Sequence, residues 1–219
     1  TAGGSLANAR SVPGSASQGS TSAGLGFGGY NGGALNTTEE YNGSSWTAGG
    51  TYGASKYRPG GLGTQTAAVG IGGQPNINNV YLYDGSTWTA GTAYPASTAG
   101  SGACGIQTAG IVAGGGPSIA TANKYDGSTW TATGSLNTGR YDLGSAGIQT
   151  SALFFGGTAG PTNLTTSESY DGTSFVTGAS ISTARSNGAS GGTASTAVYG
   201  GGSGNGSPSA TAATEEFTG

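Results

Sequence analysis

The sequence predicts an all-β chain of five similar antiparallel sheets, each of four short strands, arranged about one axis. Three observations carry this. Short apolar runs end in a di-glycine five times, at "LGFGG" (25–29), "VGIGG" (69–73), "IVAGG" (111–115), "LFFGG" (153–157) and "AVYGG" (197–201). After each of the first four comes an aromatic pair, Tyr41 and Trp46, Tyr83 and Trp88, Tyr125 and Trp130, Tyr170 and Phe175, whose first members lie 42, 42 and 45 residues apart. Between the members of every pair stands Asn-Gly or Asp-Gly. A period of about 44 residues is that of a four-stranded propeller blade. The chain is therefore read as one domain, residues 1–219, a five-bladed β-propeller with blades near 5–49, 50–91, 92–134, 135–178 and 179–219.

Each strand has its own reason. The innermost is built of Gly, Ala and Ser in every unit ("QGSTSAG", "GGLGTQ", "GSACG", "GSAG", "NGASGG"), as a crowded axis requires. The second is the apolar run. In the fourth unit the four strands are expected at 143–147, 150–157, 166–172 and 174–178. Asp-Gly and Asn-Gly supply the positive φ angles of a tight hairpin between the last two. The fifth unit stops at "TEEFTG" (214–219), which matches "TEEYNG" (38–43) and lacks an outer strand. The opening "TAGG" (1–4) matches "TAGG" (47–50), so residues 1–4 are expected to close the ring as the outer strand of the last blade, beside 213–217. No window carries helical apolar spacing, and Gly interrupts everything. A β-solenoid, the alternative, calls for shorter periods and no regular Asp-Gly hairpins.

Composition narrows function by exclusion. The chain has 48 Gly, 7% charged residues, no His, no Met and a formal charge of -3. That balance offers nothing to nucleic acid or to an anionic membrane, and no apolar run has the length of a membrane span. Starting at Thr1 without Met, the chain is expected to be a segment or processed product of something longer. A single cysteine, Cys104, rules out an intrachain disulfide and a Cys-based zinc site; its small, uncharged neighbours mark it as a buried apolar residue. No cofactor is expected. Imidazole ligands are absent, calcium loops of the D-x-D-x-D-G kind are missing, and "GGYNGG" (28–33) does not join a strand to a helix.

Apolar residues, then Gly-Gly, then Tyr, then Trp, in a period of this length, resemble kelch repeats, with a tighter turn between Tyr and Trp. A closer resemblance is to the degenerate kelch-like repeat of tail-associated proteins of marine bacteriophages, especially those of cyanobacteria, "T-E-x-Y-D-G-S-x-W-T-x-G" with "G-x-Q-T-A-x-x-x-x-G-G". "TEEYNGSSWTAGG" (38–50) and "GTQTAAVGIGG" (63–73) nearly reproduce it. The resemblance implies a propeller that serves as a virion or extracellular adhesion module, with no catalysis. It departs at Tyr81 and Asn123, where the other units have Glu39, Glu168 and Glu215.

Among the carboxylates, Asp84, Asp126 and Asp171 are explained as hairpin residues. Arg10, Arg58, Arg140 and Arg185, in the linkers before four innermost strands, are expected to pair with Glu39, Glu168 and Glu215 between blades. The phased Tyr and Trp are expected to pack between sheets. Aromatics and amides outside the phase point to recognition. Tyr30, Asn31, Tyr52, Tyr57, Arg58, Asn76, Tyr94, Arg140, Tyr141 and Asn163 fall in the inter-blade linkers and the loops after the second strands, which emerge on one face. That face is expected to contact a host-surface glycan or another virion protein. The rival is a glycan-active enzyme on the same scaffold, which needs two or three converging carboxylates; Asp142 is the one loop-face acid outside the repeat register.

Overall fold

A computed structural model describes residues 3–204 and 210–218, and among them there is no helix. The chain is a five-bladed β-propeller. Blade 1 holds β1 (Gly14–Ser15), β2 (Gly24–Phe27), β3 (Thr38–Tyr41) and β4 (Trp46–Ala48). Blade 2 holds β5 (Gly60–Thr64), β6 (Ala67–Ile71), β7 (Val80–Tyr83) and β8 (Trp88–Ala90). Blade 3 holds β9 (Gly102–Ile106), β10 (Ala109–Ala113), β11 (Ala122–Tyr125) and β12 (Trp130–Ala132). In blade 4, β13 (Gly144–Ile148) and β14 (Ser151–Phe155) are followed by a loop hairpin, β15 (Thr158–Ala159) and β16 (Thr162–Asn163), then β17 (Ser167–Tyr170) and β18 (Phe175–Thr177). Blade 5 opens with β19 (Arg185–Ser186), which bridges β22 (Ser203–Gly204), and its sheet is β20 (Ala189–Gly192), β21 (Thr196–Gly200) and β23 (Thr214–Thr218). Every pairing is antiparallel, and within each blade sheet the strands run outward from the axis in chain order.

The hairpin reading holds in atomic detail. Asp84 Oδ1 accepts the N–H groups of Ser86 (2.8 Å) and Thr87 (2.7 Å), and Asn42, Asp126 and Asp171 do the same in their own turns. The following glycines, Gly43, Gly85, Gly127 and Gly172, have φ between +93° and +99°, where a side chain is disfavoured. Those N–H donors hold the Asp84, Asp126 and Asp171 carboxyls well below their usual range.

The core lies in the seams between blades. Leu25, Phe27, Tyr52 and Tyr83 fill the seam of blades 1 and 2; Val69, Ile71, Tyr94, Val112 and Tyr125 that of 2 and 3. Ile111, Ala113, Leu136, Phe154 and Tyr170 fill the next, and Leu153, Phe155, Ile181 and Tyr199 the fourth. Outer-strand aromatics close these clusters from the rim: Trp88 lies 4.8 Å from the rings of both Phe27 and Tyr52. A glutamine at the turn after the first strand adds a polar staple to three seams. Gln65 Nε2 donates to Gly24 O and Tyr41 O, Gln107 to Ala68 O and Tyr83 O, and Gln149 to Gly110 O and Tyr125 O.

The seam between blades 5 and 1 has no such core among the described residues. Val198 is 44% exposed, whereas its counterparts Leu25 and Leu153 are 3% and 6% exposed and Val69 and Ile111 are fully buried. Gly26, at the matching position across the seam, has nothing within 4 Å of where a Cβ would be; at Gly70 a Cβ would lie 2.6 Å from the Tyr52 ring. Each staple reaches back to the preceding blade, and the position that would serve this seam carries Gly19. In blade 5 the strand register also runs one residue later than "AVYGG" suggests, because Gly200 pairs with Ala189 as Ile71 pairs with Gly60, which leaves Gly201 and Gly202 as the positive-φ pair.

Ring closure by residues 1–4 falls partly on Thr1 and Ala2, which lie outside the described residues. Gly3 and Gly4 are not in a strand. They meet Tyr41 and Ser44 of blade 1, with Gly4 N donating to Ser44 O at 3.1 Å, as Gly134 N donates to Thr173 O at the entry to blade 4.

Candidate functional site

The innermost strands enclose a cavity on the axis of about 360 Å³. All five contribute, and the lining is mostly Gly, Ser and Ala, which is why those strands are so poor in side chain. Blade 1 supplies the floor. Ser17 Oγ donates to Gly105 O and Gln18 Nε2 crosses to Gly147 O at 2.8 Å, so the opening is a cup facing the linker side. In the wall, Ser145 Oγ bridges the backbone of Ala103 in blade 3, and Ser190 Oγ bridges that of Ser145 in blade 4.

Five residues at one phase form the mouth: Val12, Arg58, Gly100, Asp142 and Asn187, each two positions before its innermost strand. All have left-handed backbones, with φ of +45°, +56°, +66°, +55° and +58°. Four of the five N–H groups reach the preceding carbonyl: Arg58 N to Val12 O (2.9 Å), Gly100 N to Arg58 O (2.8 Å), Asp142 N to Gly100 O (2.6 Å), Asn187 N to Asp142 O (3.0 Å). The conformation turns successive amides along the circle, and that requirement explains why non-glycine residues tolerate it. Arg58 Nη2 then spans to Asp142 Oδ2 at 3.2 Å, from blade 2 to blade 4. The Asp142 side chain is 3% exposed and that of Arg58 is 32% exposed. Burial raises the Asp142 pKa above the usual carboxylate value, against the pull of Arg58 and of the neighbouring Asn187 side chain, and its Oδ1 makes no hydrogen bond of good geometry.

Beside the mouth, Tyr30 and Tyr57 make an edge-to-face pair with centroids 5.4 Å apart, and Tyr30 is 43% exposed. Asn31 and Asn76 are exposed as well; Asn76 Nδ2 donates to Gly116 O of blade 3. Asn163 Nδ2 donates to Ser203 O of blade 5, and the half-buried Tyr141 donates to Gly160 O. Three of the ten expected contact residues are removed from the surface. Tyr52 and Tyr94 are seam-core residues, their phenols pushed up by burial, and Arg140 is wholly buried. Linker position alone does not separate a side chain that turns into the seam from one that turns to solvent.

The arginines need a second correction. They pair within blades, not between them: Arg10 with Glu39, Arg140 with Glu168, Arg185 with Glu215. Each pair clamps two loops. Arg140 Nη1 also donates to Thr166 O (2.8 Å), at the end of the loop after the second strand, while Glu168 accepts the linker N–H of Asn137 at 2.6 Å. Arg58 does not belong to this phase. Counted from the innermost strand, the equivalents of Arg10, Arg140 and Arg185 are Lys56 and Thr98, and those of the three glutamates are Tyr81 and Asn123. Where the acid is missing, so is the arginine. Lys56 is buried, pairs with no carboxylate among the described residues, and has its pKa lowered by desolvation.

Cys104 is fully buried, and burial pushes its thiol up to about 12, so it is an inert core residue. Sequence reasoning missed the mouth as a unit. Its one signal was Asp142, the acid out of register. Fold and site together define a five-bladed propeller with a blind axial cup opening on its linker face. No family model matches the chain, and no curated protein matches it.

Proposed function

We propose that this domain is a non-enzymatic recognition module, a virion or extracellular adhesion part that holds a host-surface glycan against its linker face. The observation that carries the reading is the Tyr30–Tyr57 pair beside the cup mouth, exposed Tyr30 against half-buried Tyr57, aromatic surface outside the repeat register on a rigid scaffold. Tyrosine faces suit the CH face of a sugar. The commitment of the nearby carboxylates supports the non-enzymatic half: Glu39, Glu168 and Glu215 each hold a buried arginine, and Asp142 is held by Arg58. The resemblance to phage tail-associated repeats supports the virion setting, where the same face could instead dock another virion protein.

The test is a glycan array and cognate host cells probed with the isolated domain and two variants. Tyr30→Ala with Tyr57→Ala is expected to weaken binding by roughly 1–3 kcal/mol per anchor. Ile148→Arg, at an exposed turn on the opposite face, is expected to change nothing. Binding that survives the tyrosine changes and is lost with Ile148→Arg overturns the reading.

A further inference from the structure

Arg58 stands where the fold asks for no arginine. The mouth circle accepts Val12, Gly100 and Asn187 at the same phase, and an arginine in a left-handed backbone is less favourable than the glycine found one blade on. Its partner is equally unneeded. Asp142 is buried with one oxygen making no hydrogen bond of good geometry, an arrangement that desolvation disfavours. The two departures carry opposite charge, come from blades that are not neighbours, and meet across the opening.

Arg58 is also distinct among the cations. The chain has six Lys and Arg. Arg10, Arg140 and Arg185 are held by glutamates, Lys56 is buried, and Lys124 donates to Gly172 O at a hairpin turn on the opposite face. That leaves Arg58 as the cation presented to solvent on the linker face, with an aromatic pair alongside and a cup of about 360 Å³ beneath. The volume lies at the low end for small-ligand sites, roughly 300–1,000 Å³, and suits one ring better than a folded peptide segment.

We propose that the cup mouth is the subsite for a carboxylate-bearing sugar unit, with Arg58 taking the ligand carboxylate and Asp142 acting as its resident substitute in the empty site. The inference rests on the glycan-recognition reading and adds its charge class. A planar guanidinium binds a carboxylate through two parallel N–H donors, and the incoming carboxylate displaces Asp142 from Arg58. The sugar ring then occupies the mouth, where the Ser15 hydroxyl and the Asn187 amide line the cup as polar groups. Asp142 thereby sets selectivity. A neutral sugar gains nothing from Arg58 that would offset breaking the existing pair.

The experiment is calorimetry or ligand-observed NMR on the whole domain with glucuronate and galacturonate, against glucose, galactose, acetate and a Glu-Asp peptide. Uronates are expected to bind at least tenfold more tightly than the neutral sugars and acetate. Arg58→Gln is expected to remove that preference; it also leaves the buried Asp142 carboxylate without its partner and so lowers the melting temperature, and Arg58→Gln with Asp142→Asn, which leaves no orphan charge, is expected to lack the preference while regaining stability. Asp142→Asn is expected to strengthen uronate binding severalfold, because it frees Arg58; a merely structural pair would give no gain. Equal binding of acidic and neutral sugars, indifference to Arg58→Gln, or weaker uronate binding by a folded Asp142→Asn variant overturns the proposal, and preference for the peptide assigns the wrong ligand class. If neutral glycans bind through Tyr30 and Tyr57, the charge proposal fails while the linker-face reading survives. If no sugar binds at millimolar concentration, both fail.

Discussion

Arg140 and Glu168 allow a stability experiment that the chain has already half performed. Both side chains are buried, and the guanidinium donates to Thr138 O, Thr166 O and Glu168 Oε1 while the carboxylate accepts from Asn137 and Thr138. Glu168→Asn alone leaves a buried guanidinium uncompensated, and Arg140→Thr alone leaves a buried carboxylate. Either should cost about 3–5 kcal/mol. For a domain of this size, each kcal/mol moves the melting temperature by roughly 2–4 °C, so a fall of about 6–20 °C is expected. The double variant copies blade 3, where Thr98 and Asn123 occupy the same two positions and Asn123 instead donates to the Tyr94 hydroxyl at 3.0 Å. Removing both charges leaves hydrogen-bonding groups unpaired but no isolated charge. The double variant should therefore be more stable than either single one, with a coupling energy of about 2 kcal/mol or more. Urea unfolding followed by the fluorescence of Trp46, Trp88 and Trp130 gives the four free energies. Additive losses, with coupling under about 0.5 kcal/mol, would show that the two charges do not depend on each other and would refute the clamp.

Gln107→Ala and Gln149→Ala each delete two bonds to the neighbouring blade's carbonyls and should cost about 1–3 kcal/mol by the same unfolding measurement; no loss would make the staples incidental. Val69→Ala should cost about 2 kcal/mol and Val198→Ala less than about 0.5, since the same methyls leave a sealed seam in one case and an exposed face in the other; equal costs would contradict an unsealed seam between blades 5 and 1. Acid should destabilise the fold. Burial pushes Glu39 and Glu215 up, but N–H donors from Ala7, Asn8 and Ser182 together with Arg10 and Arg185 outweigh it, so both end below the ordinary glutamate value. Depressed carboxyls contribute stability above their unfolded values that is lost as pH falls through the folded ones, so melting temperature should drop below about pH 4.5. Asp142, raised by burial, acts in the opposite sense, and Asp142→Asn should steepen the acid loss.

The features legible in the sequence are those whose cause is local. Asp-Gly must turn, so Asp84, Asp126 and Asp171 could be placed in hairpins from three residues of context. Period and small innermost strands gave the blade count, because crowding at an axis acts on every unit alike. Linker residues answer to a different frame. Arg58 looked like a member of the arginine series because it precedes an innermost strand, yet it lies two residues past the clamp position and so points at the mouth. Tyr52 and Tyr94 looked like loop aromatics because their seam partners, Phe27, Tyr83 and Val69, are distant in sequence. The weak seam was written in the chain as Gly24, Gly26 and Gly19, but glycine is so frequent here that these three carry no signal until the register is known. Once it is known, they explain why the circle of backbone bonds runs from Val12 to Asn187 and has no corresponding bond between those two among the described residues. The cup mouth therefore lies against the least sealed part of the ring. The one side-chain ion pair joining two described blades, Arg58 with Asp142, spans blades 2 and 4 and so ties the half of the ring opposite that seam; a ligand that draws Arg58 away loosens the side that the packed seams already hold.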